Sequence, residues 1–183
     1  IFLILPMILS VFNQAELNIY FLFITIIATI NIFDFGFKNT FVRLFSYSAA
    51  GLKNFDQVSK NYIKNTKQEI NWDFTKEIFS TMKRTYLFIS LILFALLSTI
   101  GTYFVKDSIS LNEETDLLWL SWIYIIITSS IGFYGKIYIC YLEGFNRVAL
   151  LKRYEGYFSF LSVLSRFLVI YFYPSIFLLI IVE

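Results

Sequence analysis

The chain has 183 residues, of which 58% are hydrophobic and only 15% charged, and its mean hydropathy is +0.69. Soluble domains typically carry about 25% charged residues, so this composition indicates a protein of the lipid bilayer. A single cysteine, Cys140, and the lack of histidine exclude an internal disulfide and a histidine-based triad, and they argue against a Cys/His zinc site. The net charge of +2 is too small to indicate nucleic-acid binding. We therefore predict no catalytic residues, metal, cofactor or nucleic-acid partner.

Hydrophobic segments follow one another along the chain, and the second of them is compatible with a continuation to residue 50. We expect them at about 1–12, 17–35, 86–105, 117–142, 157–173 and 174–182. Because apolar runs stand at both ends, we expect the last segment to be truncated and the sequence to be an internal fragment of a longer protein. Backbone amides in lipid must be bonded within their segment, and these runs are too long for barrel strands of about 10 residues. The predicted fold class is an all-α membrane protein, a polytopic bundle of transmembrane helices.

Basic residues predict the orientation of these segments in the membrane. Twelve of the 15 Lys and Arg residues lie in two connections, 38–84 and 147–153, whereas the loop 106–116 holds one lysine and four acidic residues. The positive-inside rule then makes the loops 36–85 and 143–156 cytoplasmic. Two spans separate these loops, as this topology requires.

The long connection 51–85 contains two apolar stripes at helical spacing. They are Leu52, Phe55, Val58 and Tyr62 in the first stripe, and Phe74, Ile78, Phe79 and Met82 in the second. Two amphipathic helices lying on the inner membrane surface would explain both stripes and the lysine-rich opposite face. Ordinary helices that pack on the protein itself explain them equally well.

Arg166 lies near the middle of the fifth segment. It is nine residues from the inner end of that segment, a depth of about 13 Å. An ionisable side chain inside a span costs about 2.5–3.5 kcal/mol on insertion scales, so it is a functional candidate by default. We favour a polar cavity around Arg166 over an unpaired structural role.

Further charged candidates lie near the cytoplasmic ends of the segments. Lys136, Glu143 and Arg147 are spaced by seven and four residues, so one continuous helix would place them on one face. This face is either a cavity-lining stripe or a chain of structural ion pairs. Asp34 ends the second segment, and Lys38 is four residues further on and able to pair with it.

Arg43 follows the Asp34–Lys38 pair, either in a continued helix or on the cytoplasmic rim. Cations outnumber anions in the spans and at their inner ends, and a cationic cavity would suit an anionic head group. Positive-inside bias alone explains Lys38, Arg43 and Arg147, but it does not explain Arg166.

Two stretches carry a resemblance to a known family. The first runs from Asp34 through Gly36 and Arg43 to Gly51, and it resembles the end of the second helix in polysaccharide flippases of the Wzx type. The second runs from Tyr141 to Arg153, and it looks like their connection between the fourth and fifth helices. These flippases belong to the multidrug/oligosaccharidyl-lipid/polysaccharide exporter superfamily. The order and spacing of the spans also agree.

The resemblance implies a transporter of two six-helix lobes around a V-shaped cavity, with this chain as most of the first lobe. It would flip an undecaprenyl-diphosphate-linked oligosaccharide across the bacterial cytoplasmic membrane by alternating access. Its partners would be this substrate, the lipid bilayer and other polysaccharide-assembly membrane proteins. Arg166 and Lys136 would be cavity cations and Arg43 would stand near the entrance, with coupling or ion-pair roles for Asp34, Lys38, Glu143 and Arg147.

Two other functions remain open on the sequence. A multidrug or cation antiporter of the same superfamily would share the fold but would need a buried acidic site. A membrane-embedded enzyme of polysaccharide assembly would usually show a large outer loop or a constellation of His and Asp, whereas these outer loops are short and histidine is absent.

Overall fold

The computed structural model describes residues 4–52, 69–111 and 115–182, and every regular element in these ranges is helical. A short 3₁₀ turn, Asn31–Asp34, and a π-helical turn, Leu97–Gly101, supplement the α-helices. The α-helices are α1 Ile4–Val11, α2 Gln14–Ile30, α3 Phe37–Ala49, α4 Trp72–Leu96, α5 Thr102–Ser110, α6 Thr115–Gly144, α7 Val148–Phe172 and α8 Ile176–Val182.

Four helical stretches are long and apolar enough to cross a membrane. They are Gln14–Asp34, Trp72–Ser110, Thr115–Gly144 and Val148–Phe172. Each has at least the 20 or so residues that a hydrocarbon core of about 30 Å requires. The prediction of an all-α membrane protein is confirmed.

Tertiary contacts divide the chain into two compact units. The first unit comprises Ile1–Phe33, Leu91–Ile131 and Glu155–Glu183, and the second comprises Asp34–Ser90 and Gly132–Tyr154. Helices α4, α6 and α7 contribute residues to both units.

The core of the first unit is built around Trp122, which is almost fully buried. Its ring stacks on Phe23 with centroids 5.8 Å apart, and its Nε1 donates a hydrogen bond of 2.9 Å to Thr102 Oγ1. A Cβ atom at Gly101 would lie 2.9 Å from the Trp122 ring. Glycine at the end of the π-helical turn therefore lets α6 approach closely.

The junction between α1 and α2 is set by Asn13. Its Oδ1 accepts the Glu16 backbone N–H at 2.9 Å, and Glu16 Oε2 accepts the Asn13 N–H at 2.8 Å. This reciprocal capping box satisfies two backbone donors that a helix start leaves without partners. Helix α2 consequently begins at Gln14, three residues before the predicted start of the second segment.

A break after Asp34 ends the second segment. Phe35 and Gly36 both have positive φ, 45° and 78°, which an α-helix does not accommodate. The chain therefore changes direction and starts a separate helix, α3. The predicted continuation to residue 50 is helical, but it does not form one span with α2. Gly51, with φ 81°, ends α3.

The third helix is much longer than the predicted 86–105. Helix α4, the π turn and α5 run without interruption from Trp72 to Ser110, 39 residues. Phe74, Ile78 and Met82 are only 4%, 2% and 0% exposed, so this stripe packs on the protein. It does not form a separate helix on the membrane surface. The stripe of Leu52, Phe55, Val58 and Tyr62 lies, apart from Leu52, outside the described residues.

The connection between the fourth and fifth helices is also shorter than the predicted 143–156. Asn146 has φ 58°, and the N–H of Arg147 donates to the Leu142 carbonyl at 2.8 Å, which is the hydrogen bond of a Schellman turn. This turn ends α6 at Gly144, and α7 starts at Val148. The predicted segments 117–142 and 157–173 are thus extended toward each other.

Candidate functional site

The second unit brings Asp34 against two other elements. Tyr86 Oη, from α4, donates a hydrogen bond of 2.8 Å to Asp34 Oδ1, and the backbone N–H of Lys38 donates one of 3.3 Å to Asp34 Oδ2. The carboxylate therefore faces the start of α3, where the helix dipole favours a negative charge. The 3₁₀ turn and the positive φ of Gly36 place it there.

Lys38 forms an ion pair with a different carboxylate from the one predicted. Its Nζ lies 2.9 Å from Glu143 Oε1, and the two side chains are 36% and 17% exposed. The expected pairing of the Lys38 ammonium with Asp34, four residues earlier, is replaced by this contact between α3 and α6. Sequence spacing alone did not reveal it, because the two residues are 105 positions apart.

Close packing of α3 on α6 supports this ion pair. A Cβ atom at Gly144 would meet Phe45 Cβ and would lie 3.0 Å from the Val42 carbonyl oxygen. Ser46 Oγ donates a hydrogen bond of 3.1 Å to the Gly144 carbonyl. Glycine at this position allows the backbones to approach, and Glu143 is thereby brought within reach of α3.

Lys136 lies on α6, two turns before Glu143. It is half-buried, and its Nζ stands 4.5 Å from the centroid of the Phe133 ring. Phe133 in turn lies against Tyr86, with centroids 5.6 Å apart. Successive contacts thus run from the Lys136 ammonium through Phe133 and Tyr86 to the Asp34 carboxylate.

The described residues show no contact of Arg43 or Arg147 with Asp34, Lys38 or Glu143. Both are exposed, Arg43 on α3 and Arg147 in the turn after α6. Because the Schellman turn ends α6 before residue 147, the predicted common helix face of Lys136, Glu143 and Arg147 is wrong for Arg147. Lys136 and Glu143 do share α6.

A polar network at the start of α4 was not predicted from the sequence. Asn71 Oδ1 accepts the Phe74 N–H at 3.1 Å, which caps α4, and Asn71 Nδ2 donates to the Leu52 carbonyl at 3.2 Å. Ser48 Oγ donates to the Asn71 carbonyl at 3.2 Å and shares a hydrogen bond with Thr75 Oγ1. The end of α3 is thus bonded to the start of α4. An asparagine ahead of an apolar helical stripe was the available signal.

Arg166 belongs to the first unit. It is half-buried, and its Nη2 donates a hydrogen bond of 2.9 Å to Ser162 Oγ, one turn earlier on α7. Ser162 Oγ in turn donates to the Val182 carbonyl at 2.9 Å. The nearest other charged residue along α7 is Glu155, eleven residues away or about 16 Å. Arg166 therefore lies within a span, as residue 19 of its 25, and one contact of its guanidinium is the Ser162 hydroxyl.

An open cavity lies in each unit. The first unit has an apolar cavity of about 500 Å³ between α2 and the α4–α5 stretch, with Thr25, Leu97 and Gly101 among its lining residues. The second unit has one of about 490 Å³ between α4 and α6. Arg166 lines neither, so the polar cavity expected around it stays a prediction.

No protein-family model matches the chain, and no curated protein or solved structure is significantly similar to it. Among the residues that the structure describes, no group of three His, Cys, Asp or Glu side chains is placed to hold a metal ion. The charged residues themselves are therefore the features that bear on function.

Proposed function

We propose that this chain is part of a flippase that moves an undecaprenyl-diphosphate-linked oligosaccharide across the bacterial cytoplasmic membrane. The observation that carries the proposal is Arg166, a half-buried guanidinium inside the membrane-spanning helix Val148–Phe172, six residues before its end. A permanent cation at that depth is costly, and such residues mark substrate pathways more often than they serve the fold. The resemblance at 34–51 and 141–153 supports the same function.

In this mechanism the diphosphate crosses the membrane in a hydrated cavity while the polyprenyl tail stays in lipid. A guanidinium binds phosphate oxygens through two parallel N–H groups, so Arg166 would receive the diphosphate within the membrane. Its hydrogen bond to Ser162 holds the side chain along α7 before the substrate arrives. An inside-negative membrane potential would favour outward movement of the anion by about 2.3 kcal/mol per charge per 100 mV.

The second unit would contribute polar contacts at the cytoplasmic ends of the helices. Lys136 would attract the diphosphate, and exposed Arg43 would stand near the entrance. The Lys38–Glu143 ion pair joins α3 to α6, and the Tyr86–Asp34 hydrogen bond joins the 3₁₀ turn before α3 to α4. We assign them to holding these helices in register while other parts of the transporter rock during alternating access.

The test replaces Arg166 in the native protein by Ala and by Lys. The matched control is Lys106→Ala, because Lys106 and Arg166 are the only Lys or Arg residues in the sequence ranges of the first unit. Cells carrying each variant at equal membrane levels are assayed for surface polysaccharide and for lipid-linked oligosaccharide that accumulates in the inner leaflet. We expect Arg166→Ala to abolish export, Arg166→Lys to retain part of it, and Lys106→Ala to export normally. Normal export by Arg166→Ala would refute the proposal.

The antiporter alternative depends on the half-buried Asp34 carboxylate, which would be its acidic cation site. Asp34→Asn distinguishes the two functions. If the protein is a flippase, we expect Asp34→Asn to lower polysaccharide export only in proportion to any loss of folded protein. Loss of drug resistance or of cation efflux at unchanged polysaccharide export would favour the antiporter.

A further inference from the structure

The cavity of the second unit combines lysines with aromatic rings. It has a volume of about 490 Å³, and its main lining residues are Trp72, Lys76, Phe79 and Lys83 of α4 and Tyr138 and Tyr141 of α6. The four α4 residues are spaced by four, three and four positions, so they form one stripe along the helix. Two cations and four aromatic rings thus face the same groove.

The length of the helix places this groove beside the hydrocarbon core rather than within it. The stretch 85–105, between Arg84 and Lys106, has 21 uncharged residues and spans about 31 Å, the thickness of the core. Lys83 therefore lies at the border of the hydrocarbon and Lys76 about 10 Å further out. Lipid head groups occupy the next 5–8 Å or so. Lys83 therefore lies at the inner edge of that layer and Lys76 just beyond its outer edge.

The α6 side of the groove lies at the same depth. The uncharged run of α6 ends before Lys136, so Tyr138 and Tyr141 follow it into the interfacial region, where tyrosine is enriched. Phe79 contacts both rings edge-on, with centroids 6.4 Å and 6.1 Å apart. The rings give the groove an apolar floor next to two ammonium groups.

The acidic group nearest the groove lysines does not neutralise the positive charge of the groove. Asp73 Oδ1 lies 3.6 Å from Lys76 Nζ, but these side chains are 97% and 79% exposed. An exposed pair of this kind is weak and screened by salt. The described residues show no carboxylate within ion-pairing distance of Lys83.

We propose that this groove binds the head group of an anionic phospholipid of the cytoplasmic leaflet. The lipid phosphate lies between Lys76 and Lys83, the glycerol end packs on Phe79 and the tyrosine rings, and the acyl chains continue along α4 into the bilayer. Neither a transport substrate nor the flippase function is needed for this site. Its occupation would fix the depth of α4 in the membrane.

The test measures lipid binding to the purified native protein by native mass spectrometry. Phosphatidylglycerol and phosphatidylcholine are titrated separately into protein in neutral detergent. Lys83→Gln and Arg84→Gln form a matched pair, because these neighbours are both exposed and lie at the same depth, but only Lys83 lines the groove. A double variant, Lys76→Gln with Lys83→Gln, removes both groove cations. Size-exclusion profiles and thermal unfolding verify that each variant is folded.

We expect wild-type protein to prefer phosphatidylglycerol by about tenfold or more, and each groove lysine to contribute roughly fivefold. The double variant should bind both lipids alike, and Arg84→Gln should keep the preference of the wild type. Equal losses in Lys83→Gln and Arg84→Gln, or equal binding of the two lipids by the wild type, would overturn the proposal.

Discussion

The two units differ in how they use charge. By sequence, 13 of the 15 Lys and Arg residues fall in the second unit, against only 6 of the 13 Asp and Glu residues. The second unit holds its helices together with an ion pair, a Tyr–Asp hydrogen bond and a capping network. The described contacts of the first unit are mainly ring stacking and hydroxyl bonds to carbonyls. The comparison teaches that charged side chains join different helices in the second unit. In the first unit, Glu16 caps the start of α2 and Arg166 bonds to Ser162 of its own helix.

The largest expected effect on stability comes from Gly144→Ala in the second unit. The new Cβ would overlap Phe45 Cβ and press on the Val42 carbonyl oxygen, neither of which can move without displacing α3. Overpacking of this kind costs about 1–3 kcal/mol, and we expect the upper end. The measurement is the free energy of unfolding in mixed detergent micelles.

Gly135→Ala is the control for this substitution, since it lies on the same helix and its added Cβ would meet nothing within 4 Å. It should leave stability unchanged or raise it slightly, because alanine favours helix more than glycine does. If both substitutions have the same effect, the close α3–α6 contact does not hold the second unit together.

A smaller effect is expected from the Lys38–Glu143 ion pair. A double-mutant cycle with Lys38→Met and Glu143→Gln should give a coupling free energy of about 1.5 kcal/mol, because hydrogen bonds to charged groups contribute that much when partly buried. The cycle is measured by the same micelle titration at low and high salt. A coupling near zero would show that charge does not structure the second unit.

Gly101→Ala tests the corresponding close approach in the first unit. Its Cβ would lie 2.9 Å from the Trp122 ring, but a ring edge is able to shift where a backbone is not. We therefore expect a loss of about 1 kcal/mol, less than for Gly144→Ala. Tryptophan fluorescence, to which Trp122 contributes, should change along with the unfolding midpoint. A loss of stability larger than that caused by Gly144→Ala would show that the close helix contact in the first unit is the less tolerant of the two.

The sequence predicted the helical class and the approximate spans, because apolar runs between charged blocks are local signals. It also placed Arg166 within a span from hydropathy alone. The helical stripe from Phe74 to Met82 was predicted, but its continuity with the span 86–105 was missed, because the charged residues of 72–84 separate the stripe from the apolar run. The end of the second segment was also uncertain, because Phe35 gives no sign of its positive φ.

The candidate site was predictable only in its residue types. Asp34, Lys38 and Glu143 were identified, but the partners were assigned from spacing along one helix. The actual partners, Glu143 for Lys38 and Tyr86 for Asp34, come from other helices, and only tertiary packing determines them. Arg147 shows the opposite error, because a turn at Asn146 removed it from the helix that its spacing assumed.

The smallest effect is expected from Asp73→Asn. Its ion pair with Lys76 is almost fully exposed, so the stability of the second unit should change by less than about 0.5 kcal/mol. Affinity for phosphatidylglycerol should rise slightly, because a negative charge beside the Lys76–Lys83 groove is removed. Stability and lipid affinity are measured on one preparation, with Glu77→Asn as a control on the same helix. A loss of stability comparable to that in the Lys38–Glu143 cycle would mean that exposed ion pairs also stabilise the second unit. The degree of burial would then not distinguish ion pairs that stabilise the fold from charged residues that face lipid.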